Sequence, residues 1–283
     1  MKPPIGVVKI CRYPVKGLSA EVMERVALSP GKCLPHDRRF ALAHAATRFD
    51  PARPEWLPKT SFVMLMRDEK LAQLRTRFEE HSGHLTIERE GQLLLRAQLT
   101  DAGGRDRVNE FFAGFLKDSV RGPLRVVEAP GHTFSDARQK PNSSTYHYVS
   151  IVNLASIAAL EQEVGVPVDP IRFRANLYIE GIPAWSEFDW VDAGITVGRA
   201  RLRVVSPIVR CAATAVNPTT AESDLNIPAI LQKTFGHAHM GVYAEVIEGG
   251  EIARGDSLVV DAARSRLKLP AMLELKPIPP ERR

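Results

Sequence analysis

Cysteine is scarce in this chain: there are 3 among 283 residues, at positions 11, 33 and 211. That spacing supplies neither a zinc set nor an iron–sulfur set. An odd, sparse set also argues against a disulfide framework and fits a reducing compartment. Long apolar runs are missing as well. No segment approaches the roughly 20 apolar residues needed to cross a bilayer, and the stretch from Met1 to Arg12 has neither a long apolar core nor a small-residue cleavage site. The expectation is a cytoplasmic protein that does not sit in a membrane. There is no internal repeat and no extended low-complexity tract, so a repeat array is excluded. Charge of one sign does not dominate: Lys+Arg 38 against Asp+Glu 33 gives +5. This mild basicity suits an anionic small ligand. The basic residues are scattered and no recognition motif accompanies them, so no nucleic-acid partner is expected.

What is present is ordinary globular material, 44% hydrophobic and 25% charged, long enough for one large domain or two smaller ones. Short strand-like runs alternate with a few helical stretches. Ile5 to Arg12 reads as a strand ended by Tyr13-Pro14, followed by the loop Lys16-Gly17-Leu18-Ser19, where a lysine beside glycine can approach an anion. Val22 to Leu28 and His36 to Ala43 read as strands, and Phe62 to Met66 as a short buried one. Leu71, Leu74 and Phe78 suggest a helix over Asp68 to Glu80. Leu85 to Glu88 and Gln92 to Ala97 form a hairpin about Glu90-Gly91. Asp101 to Lys117 is a helix whose apolar face is built from Val108, Phe111, Phe112, Phe115 and Leu116. The polar, proline-containing stretch Ala129 to Thr145 marks a domain junction or a mobile loop.

After it, Tyr146 to Val152 reads as a strand. Asn153 caps a helix bearing Leu154, Ile157, Leu160 and Val164 and ending at Gly165. Asn153 and Ser156 lie at a strand-to-helix turn, where free backbone N–H groups attract anions; plain capping is the simpler alternative. Asp169 to Asn176 reads as the approach to a strand, and a period of two places Arg172, Arg174 and Asn176 on one face. Arginine forks beside an amide suit a phosphate or a polar heterocycle. From Arg172 to Arg210 there are six arginines and no lysine, which favours recognition over a merely solvated face. Gly198 turns a hairpin between Ile195 to Val197 and Arg201 to Val205. That second arm leads into Arg210-Cys211, where a thiol enters a loop near a strand end. A thiolate is a good nucleophile and a good ligand for soft metals, although a buried, inert thiol remains open on this segment alone. Asn226-Ile227-Pro228 opens a short helix, Met240 to Ile247 is a strand holding Tyr243, and Ser257 to Val260 is the last one.

Taken in order, several of these blocks resemble the MOSC-domain family, named for the C-terminal domain of molybdenum cofactor sulfurase. Tyr13-Pro14-Val15-Lys16-Gly17 and Asp37-Arg38-Arg39-Phe40 resemble signatures of the family's N-terminal domain. Arg172-Phe173-Arg174-Ala175-Asn176, Glu187-Phe188-Asp189-Trp190, Arg210-Cys211 with Val216-Asn217-Pro218, Gly241-Val242-Tyr243 and Gly255-Asp256 resemble the MOSC domain itself. The overall pattern is similar to that of the amidoxime-reducing component and its bacterial N-hydroxylaminopurine-resistance relatives.

The resemblance implies a mixed α/β, β-rich fold: a MOSC β-barrel domain over 129–265, a smaller N-terminal MOSC-associated β-barrel domain with flanking helices over 1–128, and an irregular tail over 266–283. It implies a molybdenum cofactor (molybdenum–molybdopterin, not pyridoxal phosphate) between the domains, its metal ligated by Cys211. Lys16, Gly17, Arg38, Arg174, Asn176, Arg210 and Tyr243 match positions around the pterin and its phosphate, with Asn153 and Ser156 in a matching region. The implied activity is reduction of small N-hydroxylated or N-oxide substrates. Some bacterial relatives carry a C-terminal ferredoxin-like domain, and no cysteine follows Cys211 here, so the electrons are expected from a separate ferredoxin-, flavin- or haem-type protein. The alternative is a sulfur carrier holding a persulfide on Cys211. A pterin- or nucleotide-binding module without chemistry is a third reading. The sequence departs from the family's pattern at Gly17 and Val209, where serine is frequent, and at Asn217-Pro218-Thr219-Thr220-Ala221, in place of Asp-Pro-x-Thr-Gly.

Overall fold

The computed structural model describes residues 4–120 and 122–261; the tail expected from residue 266 lies outside them. In chain order the described elements are β1 (Ile5–Arg12), β2 (Glu21–Met23), β3 (Arg25–Leu28), β4 (Ala41–Ala43), β5 (Arg75–Glu79), β6 (His84–Arg89), β7 (Gln92–Gln98), α1 (Ala102–Leu116) and β8 (Arg125–Val127). There follow β9 (Val149–Asn153), α2 (Leu154–Val164), β10 (Leu177–Glu180), β11 (Gly194–Val197), β12 (Ala200–Val209), α3 (Ile227–Phe235), β13 (His239–Glu248), β14 (Gly250–Ala253) and β15 (Ser257–Val260).

The strands β10-β9-β13-β12-β11-β15-β1 hydrogen-bond in that order, and β1 pairs with β10 to close them into a seven-stranded barrel; β2 extends from β1. Closure leaves no long unpaired edge in that ring. Alternate residues point inward, among them Val7, Ile151, Ile179, Leu202, Val204, Val242 and Val246, and together they fill the barrel. β9 and β10 run parallel, so the chain needs a crossover between them, and α2 provides it. Asn153 caps α2 by accepting from the backbone N–H of Ala155 at 3.0 Å, and Gly165 ends it in the left-handed region. α2 and α3 cover the outer wall of the barrel through Val152, Ile157, Leu160, Ile227 and Leu231.

Residues between β3 and β9, with Val15 and Leu18 from the loop after β1, build a second core. The sheet β5–β6–β7 packs with Val108, Phe112 and Leu116 of α1, and with Phe40 and Leu42. Asp101 caps α1 through the N–H of Gly104 at 2.9 Å. A Cβ at Gly104 would sit 1.9 Å from the carbonyl of Gln98, so only glycine lets helix and strand approach this closely. The first strand does not stay with this core: β1 is a stave of the barrel.

Several segments differ from the pattern expected. Val22 to Leu28 is not one strand but two, β2 pairing with β1 and β3 with β14. Phe62 to Met66 forms no strand, only a single bridge from Phe62 to Ala43. Asp68 to Glu80 is not one helix; Glu69–Gln73 is a 3₁₀ turn and Arg75–Glu79 is strand β5. The spacing of Leu71, Leu74 and Phe78 is helical, but Thr76 and Phe78 alternate with exposed arginines and pair across to β6. His36–Arg39 is a turn with His36 and Arg38 at positive φ, and the strand begins only at Ala41. Pro170–Phe173 is a 3₁₀ turn started by the Asp169 side chain, so Arg172, Arg174 and Asn176 do not share a strand face.

The segment 129–148 crosses from the second core to β9. His147 within it is 7% exposed, and burial, helped by Lys32 and His132, pushes its imidazole down to about 4. The unfolded chain therefore takes up a proton first. Stability from this group is complete above the ordinary histidine value near 6.5 and is lost as pH falls toward 4, by up to roughly 3 kcal/mol. Urea midpoints measured between pH 7 and 4 should fall less steeply for His147→Gln than for the parent chain; parallel slopes would refute the assignment.

Candidate functional site

A cleft of about 720 Å³ opens where the strap 133–140, the turns at Lys16 and Arg38, the start of the second core and the end of β12 meet. Eight basic side chains line it: Arg172, Arg174 and Arg210 from the barrel, Lys16, Arg38 and Lys59 from the N-terminal half, and Arg138 and Lys140 from the strap. Among the described residues two carboxylates, Asp37 and Asp136, oppose them there. With protein walls of low dielectric, that imbalance focuses a positive potential into the cleft. The sequence-level expectation of an anionic ligand thus has a place in the fold.

The arginines are held stiffly. Tyr13 is fully buried, and its ring centroid lies 4.3 Å from the guanidinium carbon of Arg38 and 4.4 Å from that of Arg174, within cation–π range. Arg38 donates to the carbonyl of Arg174 at 2.8 Å and pairs with its neighbour Asp37. Arg174 donates to the carbonyl of Leu18 at 2.8 Å. Both have φ of 49°. A non-glycine residue there is strained by about 1 kcal/mol or more, and such outliers gather at functional sites. Arg210 donates to the carbonyls of Phe173, at 2.8 Å, and Met240, with burial lowering its pKa. The guanidinium groups are therefore fixed charges set by the backbone before any ligand arrives.

Lys16 donates to the carbonyl of Phe134 at 2.9 Å and pairs with Asp136. Burial pulls the lysine down, and the ion pair opposes it. Gly17 follows with φ of 83°, its backbone close under Val63, so the turn needs glycine. Tyr243 stands on β13 beside Tyr148, ring centroids 5.4 Å apart. Asn176 is buried at the cleft floor; its amide oxygen accepts from the Ser150 N–H and hydroxyl, and its Nδ2 donates to the Cys11 carbonyl at 3.1 Å.

Cys211 follows the end of β12, lines the cleft and is half-buried. Its carbonyl is held by the Thr214 N–H and hydroxyl at 3.1 and 2.9 Å, which leaves the sulfur out of the backbone network. The other thiols differ: burial pushes Cys11 up to about 11 and Cys33 up to about 12, so both stay protonated near neutral pH.

Asn153 and Ser156 are not on the cleft. Asn153 donates to Glu187 at 3.2 Å, and the Ser156 hydroxyl donates to it at 3.0 Å. Glu187 is fully buried and burial raises its pKa. The anion held at this strand-to-helix turn is the protein's own carboxylate, so the expectation that these two residues face a ligand is corrected. Conversely, Asp136, Arg138, Lys140, Cys33 and Trp56 line the cleft without having been singled out. The signal for the strap residues was the polar stretch 129–145, a loop beside the site. The Arg138 guanidinium carbon lies 3.9 Å from the Trp56 ring centroid, a pairing of distant segments that no local pattern announces.

Among the described residues no three His, Cys, Asp or Glu side chains are gathered to hold a metal ion. A metal here would take Cys211 as its protein ligand and the remainder from a cofactor that carries it. A thiol in a strongly cationic cleft fits such an anionic, metal-bearing group.

The model of the MOSC domain matches residues 136–259 of this chain. Molybdenum cofactor sulfurase of Drosophila willistoni is 29% identical over 138 residues, covering 42% of this chain and 17% of that protein. Mitochondrial amidoxime-reducing component 1 of Xenopus laevis is 25% identical over 149 residues, covering 48% of this chain and 42% of that one. The chain thus spans less than half the length of either relative. Among solved structures, the YUAD protein from Bacillus subtilis is 12% identical with a TM-score of 0.40, covering 91% of this chain and 96% of that one. YiiM from Geobacillus stearothermophilus is 19% identical with a TM-score of 0.33, covering 40% and 54%.

Proposed function

We propose that the cleft holds a molybdenum cofactor with Cys211 as the metal's protein ligand, and that the protein reduces N-hydroxylated or N-oxide compounds. The observation that carries this reading is the half-buried thiol of Cys211 in a cleft with eight basic side chains and two carboxylates. Relatives named for molybdenum cofactor sulfuration and amidoxime reduction support it.

When bound, the cofactor supplies oxygen-atom transfer and two-electron chemistry. The chain's residues bind and orient. Arg174, with one of its two terminal nitrogens on Leu18, keeps donors for a phosphate. Arg38 and Arg210 contribute fixed positive charge. Tyr243, whose hydroxyl burial keeps protonated, offers a neutral donor on the opposite strand. Overall, a hydroxylamine-type substrate takes two electrons and two protons and leaves as the amine and water, the electrons coming from a separate donor protein.

The test is turnover of an aromatic amidoxime with chemically reduced viologen as donor. Arg174→Gln should lower the pterin retained through purification by about 10- to 100-fold, the range for losing a group that supports a bound metal centre. Equal retention in both proteins would remove Arg174 from the binding set. A sulfur carrier is the second reading, favoured by the sulfurase relatives; it requires a persulfide on the same sulfur.

A further inference from the structure

Arg172 lines the cleft only at its edge: it is 4% exposed, and its guanidinium is turned to the loop that follows Cys211. Its Nη2 donates to Asp224 at 2.7 Å, and its Nη1 donates to the carbonyl of Ala215 at 2.9 Å and, more loosely, to that of Thr214 at 3.4 Å. Asp224 returns the contact by donating its N–H to the Ala215 carbonyl at 3.2 Å. It also accepts from the Asn217 side chain at 2.7 Å. Thr214, 3% exposed, holds the Cys211 carbonyl through both its N–H and its hydroxyl. One buried guanidinium thus gathers both ends of the loop, three residues from the thiol and again at its return.

We infer that Arg172, with Asp224, is a positioning pair that fixes the loop 211–224 so that the Cys211 sulfur faces the cationic cleft. A planar fork is needed to hold two carbonyls and a carboxylate at once, and a lysine ammonium has no such geometry. Arg172 is buried while Asp224 stands at the surface, so altering Asp224 leaves a buried guanidinium without its counter-charge, and the loop is the part that gives way. The inference concerns the thiol itself and holds whether or not a metal binds there; only its bearing on turnover rests on the function proposed above.

The test uses the full chain made in cells that lack the pterin cofactor. Cys211 alkylation is followed by peptide mass spectrometry with iodoacetate and with iodoacetamide. Cys11 and Cys33 contribute little near neutral pH, because burial holds both thiols protonated. In the parent chain the cleft's field favours the anionic reagent, so the iodoacetate-to-iodoacetamide rate ratio exceeds that of a free thiol. Arg172→Lys keeps the charge, and Asp224→Asn makes the cleft more positive. If charge alone mattered, the ratio would hold in the first and rise in the second. Positioning requires that it fall in both, by about fivefold, which corresponds to ~1 kcal/mol. Ile195→Val, in the barrel interior, lowers the melting temperature without touching the loop and should leave the ratio unchanged. A ratio that holds or rises in Asp224→Asn overturns the inference, as does a fall in Ile195→Val equal to that in the loop variants.

Discussion

Cys211→Ser should lower reduction of an N-hydroxylated substrate by about three orders of magnitude or more, the scale of deleting an essential catalytic group. The exchange swaps sulfur for oxygen at a half-buried position with extended backbone, φ −115° and ψ 173°. The loop contacts at Cys211 run through its carbonyl to Thr214, not through the sulfur. Stability should therefore stay within about 0.5–1 kcal/mol of the parent chain, as for substitutions that break no buried network. What changes is the ligand. A thiolate binds a soft or borderline metal readily, and a serine hydroxyl stays protonated at neutral pH and binds it poorly. Activity retained in a folded Cys211→Ser protein would show that the metal, if present, does not depend on this side chain.

A large loss of stability is expected at Gly241, two residues before Tyr243. Its φ is 73°, and a Cβ there would lie 2.2 Å from the carbonyl of Ile151 and 2.7 Å from a methyl of Val152. The obstacle is backbone of β9, which pairs with β13 through Val242 and Ile151 and cannot rotate away. Gly241→Ala should cost about 3–5 kcal/mol, combining left-handed strain with overpacking, and lower the melting temperature by roughly 10 °C for a chain of this size. Gly255→Ala is the control. Its φ of 90° is equally unfavourable, yet nothing lies within 4 Å of the added carbon, so only the conformational part, about 1 kcal/mol, should remain. Similar losses at both positions would contradict the close approach of β9 and β13.

Much of the barrel could be read from local pattern, because each element there carries its own signal. Asn153 and Gly165 bound α2, Pro228 sits in the first turn of α3, and the hairpin alternates from Gly194 to Val204. Closure was not legible: β1 meets β10 through pairs as far apart in the chain as Gly6 and Glu180, and nothing local in Ile5–Arg12 announces its partner. Two of the misread segments share one cause. In Arg75–Glu79 and Arg172–Asn176 the same residues satisfy two periods, and tertiary contacts decide. Phe78 pairs into a sheet, and Arg172 turns inward to Asp224. Of the site, Cys211, Arg38, Arg174, Arg210, Lys16 and Tyr243 were picked from the sequence and meet in one cleft. The Asp136 that pairs with Lys16, and the Glu187 that takes Asn153 and Ser156 away from it, are choices made by the fold. A sequence shows which donors exist; it does not show which carboxylate reaches them first.

Molybdenum and released pterin, quantified per chain on freshly purified protein, test the account most directly. About one of each per chain, with the metal lost in Cys211→Ser, is the result expected. A protein carrying cyanide-labile sulfur on Cys211 and neither metal nor pterin would contradict it and make the thiol a sulfur carrier.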